Sequence, residues 1–135
     1  MGIPGSATAP RPRPLATAID FHATCVRAAC GLPPRVATAN SLYAGVRFLL
    51  ADREGRFLGL DGLAEVVRMG AVEHVFMEVT VGATLRLPPE DYDTQRVAAV
   101  VARAPEHAAV LETLDAAARR CRPRIGRPDG GATGW

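Results

Sequence analysis

Leu42 to Leu60 reads Leu-Tyr-Ala-Gly-Val-Arg-Phe-Leu-Leu-Ala-Asp-Arg-Glu-Gly-Arg-Phe-Leu-Gly-Leu. As far as Ala51 it alternates, with Leu42, Ala44, Val46, Phe48 and Leu50 on one side and Tyr43, Gly45, Arg47 and Leu49 on the other. Both sets are largely apolar, which predicts a strand whose second face is also mostly buried. Asp52, Arg53, Glu54 and Gly55 form a turn signal, and Arg56 to Leu60 is expected to return as the second strand of a hairpin. A hairpin pairs its strands antiparallel, so this stretch places the chain among α+β folds.

The flanking sequence supplies the other elements. Phe21, Cys25, Val26 and Ala29 recur at helical spacing between Ala18 and Cys30, with Gly31 as a stop and Pro33 and Pro34 beyond it. Leu63 to Met69 reads as a short helix, and Glu73 to Val81 alternates as a third strand. Gly82 breaks that strand, Thr84 to Leu87 forms a brief fourth, and Pro88 and Pro89 open an acidic loop through Asp93. Gln95 to Arg103, rich in valine and alanine, predicts a central strand. Pro105 and Glu106 stand where a last helix should begin, with Leu111, Leu114 and Ala118 as its apolar face toward Arg120. The expected fold is α+β, a mainly antiparallel sheet of about five strands packed with two or three helices. Its domain is residues 15–125, between a flexible Pro/Arg arm at 1–14 and a flexible tail at 126–135.

The 135 residues are 48% hydrophobic and 22% charged, enough for one core without staples. All 16 basic residues are arginine, so the chain offers no Schiff-base lysine and no P-loop lysine. A formal charge of +2 does not announce a nucleic-acid or membrane surface. Cys25, Cys30 and Cys121, odd in number and irregular in spacing, are not a disulfide framework, and a reducing cytoplasm is the expected setting. No apolar run approaches the ~18 residues of a membrane helix.

Five local patterns carry candidate chemistry. Arg47 stands mid-strand among apolar residues, where an unpaired guanidinium is costly, and a plain role is pairing with Glu78 or another strand carboxylate. Glu90, Asp91 and Asp93 around Tyr92 could collect a divalent cation, but lack the glycine and spacing of a calcium loop; a solvated turn with Tyr92 packed is the plainer account. His22 and Cys25, with Cys30 beyond, could begin a zinc site, yet a fourth ligand is not evident and a cysteine on an apolar helix face is usually buried packing. Cys121, among Arg119, Arg120, Arg122 and Arg124, is expected to have a depressed pKa, as a thiol redox protein would need, but no histidine is near in sequence and His107 is expected at the surface. The run from Arg119 to Arg127 either stabilises a helix end or forms the face of a small anion-binding, nucleic-acid-binding or oligomerisation module; the helix-end reading is preferred, since no aromatic residue interleaves with the run.

Four strings together resemble the C-terminal subdomain of ATP-grasp ligases, of the carboxylate-amine or peptide ligase type, and more distantly the same region of biotin carboxylase. They are Ile19 to Pro33; Ala44 to Leu50 with Gly55 and the Leu60-Asp61-Gly62-Leu63 turn; Gly70 to Gly82; and Gly82 to Arg103, especially Leu87, Pro88, Tyr92, Asp93, Arg96, Val97 and Val101. The resemblance implies the lobe that follows the nucleotide-binding lobes of an enzyme that activates a carboxylate as an acyl phosphate and passes it to an amine. It implies ATP and magnesium for a complete ligase, an amino-acid-like substrate, and a partner chain with the missing lobes or a homo-oligomer. It makes Arg47 the substrate-binding candidate, because the arginine at that strand position faces the active site in related enzymes. The family's phosphate-binding lysines and magnesium ligands stand on preceding lobes. Arg11 and Arg13 lie near the expected end of the magnesium motif without its carboxylates, so this chain is expected to bind no cofactor or metal and to carry no catalytic residue of its own.

Overall fold

The computed structural model describes residues 19–34 and 42–127. The arm at 1–14, with Arg11 and Arg13, and the tail beyond Arg127 lie outside them. The chain divides into two compact units, Met1–Ser41 and Leu42–Trp135.

The first unit contains α1 (Phe21–Ala29), capped by Asp20, whose carboxylate accepts from the Ala23 amide at 2.9 Å. The expected helix is therefore present and runs from the first to the last residue of its apolar period, Phe21 to Ala29. None of its residues is buried, and Cys25, expected as core packing, is exposed.

The second unit is built from two antiparallel three-stranded sheets. The first has the order β1 (Tyr43–Leu50), β5 (Arg96–Ala104), β3 (Val72–Met77). The second has the order β4 (Thr84–Leu85), β2 (Gly55–Asp61), β6 (Arg122–Gly126). A short α2 (Leu63–Val66) follows β2, and α3 (His107–Arg120) follows β5. The α+β, antiparallel reading holds, and the Val/Ala-rich segment is the central strand it was expected to be. Its alanines at 98, 99, 102 and 104 are buried, and Gly45 of β1, opposite Ala102, lets α3 lower Val110 and Leu114 onto the sheet.

The expected hairpin does not form. β1 pairs along its whole length with β5, and β2 crosses to the other sheet. The turn between them is tied to β6: Arg53 donates to the Ile125 carbonyl at 3.2 Å, and Gly55 passes so close to the Gly126 carbonyl that no side chain fits. The anticipated single sheet is thus two, joined by a core of Phe57, Leu85, Val66, Val97, Val100 and Cys121, all fully buried.

Three further expectations are corrected. The buried stripe of α3 is Val110, Leu114 and Ala117, while Leu111 is half exposed. β3 ends at Met77, four residues short of the alternating pattern, and Val81 is exposed. The buried residue of β1 is Leu49, and Val46, Phe48 and Leu50 on the other side stand 49%, 41% and 50% exposed.

Candidate functional site

Arg47 lies on the α3 side of β1, opposite Val100 of β5. Its guanidinium meets Asp115 of α3 at 3.3 Å, with both side chains about half exposed. The partner is a helix carboxylate, reached because α3 runs across β1, and Glu78 is not involved. An ion pair this wet contributes about 0–1 kcal/mol. Arg47 also borders an open recess of about 530 Å³ at the end of β1, whose other walls include Leu49, Asp52, Cys121, Arg122 and Pro123.

Cys121 closes α3 and is 1% exposed. Burial pushes its thiol above the ordinary value of 9.0, and the Asp61 carboxylate pushes the same way. The expected depression by neighbouring arginines is therefore reversed. The thiol points into the core while the arginines beside it point to water, so desolvation outweighs their charge.

The arginine run is engaged locally. Arg122 Nε donates to the Arg119 carbonyl at 3.4 Å at the end of α3, and Arg124 pairs with Asp61 at 3.4 Å. The run also contains β6, an element absent from the sequence reading. The signal was there: Cys121, Pro123 and Ile125 alternate with Arg120, Arg122 and Arg124, a strand period hidden by the charges.

The acidic loop is a self-contained turn. Asp91 accepts from the Asp93 amide at 2.8 Å, the Thr94 amide at 3.4 Å and the Thr94 hydroxyl at 3.0 Å, which hold its carboxyl below the ordinary 3.8. Glu90 pairs with Arg86 at 3.6 Å, and Tyr92, expected to pack, is exposed. The three histidines make ring contacts, His22 with Phe21, His74 with Phe76 and His107 with Tyr43. Among the described residues no three His, Cys, Asp or Glu side chains could hold a metal ion.

The most distinctive surface is the side of the β1–β5–β3 sheet away from α3. Two rows run across it in register, Val46 with Val101 and His74, and Phe48 with Ala99 and Phe76. Phe76 is 52% exposed, and Ala99 lies between the two phenylalanines. Arg96 holds its guanidinium 5.3 Å from the centre of the Phe48 ring at one end of the face. At the other end Arg103 pairs with Glu73 at 2.9 Å. Outward faces of antiparallel sheets are ordinarily polar, and this one is not.

Two antiparallel three-stranded sheets with one long helix make up the described part of the second unit. The fold is that of the C-terminal subdomain of ATP-grasp ligases. Residues 47–126 match the family model of the L-amino acid ligase C-terminal domain 2, and the chain belongs to that family. The structure is similar to the crystal structure of an L-amino acid ligase from Bacillus licheniformis, with a TM-score of 0.71 at 17% sequence identity over 84% of this chain. The chain spans 28% of that ligase's length. No curated protein matches it. No helix among the described residues is long and apolar enough to cross a membrane.

Proposed function

We propose that this chain serves as the C-terminal lobe of an ATP-dependent ligase that joins an amino-acid carboxylate to an amine, with the nucleotide-binding lobes supplied by a partner chain. The observation that carries this reading is the family match across both sheets and α3, residues 47–126. The similar ligase from Bacillus licheniformis supports it, since the shared fold occupies 28% of that chain and leaves ample room for nucleotide lobes. ATP and magnesium belong, on this reading, to those lobes. Three free cysteines and an ATP-consuming reaction fit a reducing cytoplasm. Arg47 has a partner in Asp115 and enters as a packing residue. Loss of turnover in the assembled enzyme on Arg47→Ala, with stability unchanged, would return it to the substrate site.

The test is reconstitution. The purified chain with ATP, magnesium and amino acids should release no phosphate. Addition of the ATP-grasp chain that co-purifies with it from native extract should start phosphate release that depends on both components. Robust turnover by the chain alone would sink the requirement for a partner. Turnover by the co-purifying chain that ignores this one would sink the lobe assignment.

A further inference from the structure

We infer that the recess at the end of β1 binds a small zwitterion with an apolar body, the chemistry of a free α-amino acid such as leucine. The recess holds about 530 Å³ and opens to solvent, a size within the ~300–1,000 Å³ of small-molecule sites. Its apolar walls are Leu49, Ala118, Cys121 and Pro123, with Leu49 and Cys121 buried and the other two half-buried. Apolar walls with a few polar groups placed among them are the usual make-up of such a site.

Charge decides the ligand. Arg47 rests against Asp115, so that pair offers no net charge. Arg122 and Asp52 line the same recess with opposite charges, and neither has an ion pair among the described residues, with each other or with a third group. Arg122 engages only its Nε, on the Arg119 carbonyl. Its terminal nitrogens remain as a planar fork for a carboxylate. Asp52 accepts no hydrogen bond among the described residues, and its carboxylate suits an ammonium. A ligand that carries both charges satisfies both groups, and its side chain covers the apolar walls. A bare anion fits worse. Asp52 and Asp115 match Arg47 and Arg122 in charge, and α3 ends at this recess, with Ala118 and Cys121 in the wall, so the negative pole of its dipole faces the ligand. The same pole favours an ammonium.

This site belongs to the chain by itself and does not rest on the ligase reading. The test is an amide NMR titration of the full chain with L-leucine, glycine, N-acetyl-L-leucine and inorganic phosphate. The expected result is saturable shifts at Leu49, Cys121 and Arg122 with L-leucine, at a Kd of about 1 mM. Glycine lacks the side chain and N-acetyl-L-leucine lacks the ammonium, so each should bind roughly tenfold more weakly. Phosphate should leave these amides unmoved. Asp52→Asn should bring L-leucine down to the level of N-acetyl-L-leucine and leave the acetylated ligand unchanged. Arg122→Gln should weaken both roughly tenfold at an unchanged urea midpoint. N-acetyl-L-leucine binding as well as L-leucine, or an Asp52→Asn chain that holds L-leucine unweakened, would overturn the zwitterion assignment. Saturable shifts with phosphate at the same amides would make the recess an anion site and overturn it as well. No saturable shift at about 10 mM L-leucine would remove the site, while the ligase reading, tested by phosphate release with a partner chain, would stand.

Discussion

Replacing Gly62 with alanine tests how the second sheet is joined to α3. Gly62 stands between β2 and α2 with φ of 79°, in the left-handed region, and a Cβ there would run into the Arg120 carbonyl group and approach Cys121 Cα at 3.5 Å. The left-handed conformation costs an L-residue about 1–2 kcal/mol, offset by about 0.4–1 kcal/mol because alanine stiffens the unfolded chain. The clash is with backbone at the end of α3, which cannot swing aside as a flexible side chain would, and overpacking of this kind costs about 1–3 kcal/mol. The net expectation is roughly 2–4 kcal/mol, a large share of the ~5–15 kcal/mol that holds a domain together. Two other glycines separate the contributions. Gly82 has φ of 95° with open space around it, and Gly70 has open space and no positive φ. Gly82→Ala should therefore lose about 1 kcal/mol from conformation alone, and Gly70→Ala should be within about 0.5 kcal/mol of the parent. Urea denaturation of the three variants, read as midpoint at constant slope, gives the order directly. If Gly62→Ala is no less stable than Gly82→Ala, the close approach of the α2 turn to the end of α3 is wrong.

Leu114→Ala, which empties the space beneath Gly45, should cost about 2–5 kcal/mol, whereas half-exposed Leu111→Ala should change the urea midpoint little. Arg47→Ala should cost at most about 1 kcal/mol, with the difference shrinking in high salt; a larger loss would show that the Asp115 pair is not the wet contact described. Iodoacetamide should label Cys25 and Cys30 in the native chain and leave Cys121 unmodified until denaturant is added, because only Cys121 is buried. The same burial sets a pH slope. The folded thiol holds its proton above 9.0, so the unfolded chain loses its proton first, and stability that is complete below 9.0 falls as pH rises past it. Urea midpoints measured between about pH 7 and pH 10 should therefore drop more steeply for the parent than for Cys121→Ala.

Local period was enough to find most elements, and tertiary partnership was not. The stretch from Leu42 to Leu60 contains two real strands, β1 and β2, yet a four-residue turn signal says nothing about whether the chain folds back or crosses over. What decides it is Arg53 reaching the Ile125 carbonyl, a contact 72 residues away in sequence. β6 was hidden for a related reason. Arginines at alternate positions read as a charge run until their apolar neighbours are seen to pair with Phe57 and Leu60 of β2. The candidate residues divide in the same way. Arg47 was correctly expected to need a partner, but that partner sits on a helix whose path over β1 depends on Gly45. Cys121 was read by its sequence neighbours, whereas its titration follows from the neighbours it has in space.

Among the described residues, one sequence feature that the unit leaves unsatisfied is the two-sided apolarity of β1. Ordinarily a strand with both faces apolar is the middle of a layered structure, and a strand with one face open alternates with polar residues. β1 is an edge strand with one face open, and it still carries Val46, Phe48 and Leu50 there. Phe76 in β3, two strands away, extends the same surface in register. Within the unit, Phe48 and Phe76 flank Ala99 in register and leave it only 4% exposed, and Phe48 also supports the Arg96 guanidinium. Phe48→Ala and Phe76→Ala, at side chains 41% and 52% exposed, should therefore lower the urea midpoint measurably but by less than Leu114→Ala, whose side chain is 5% exposed.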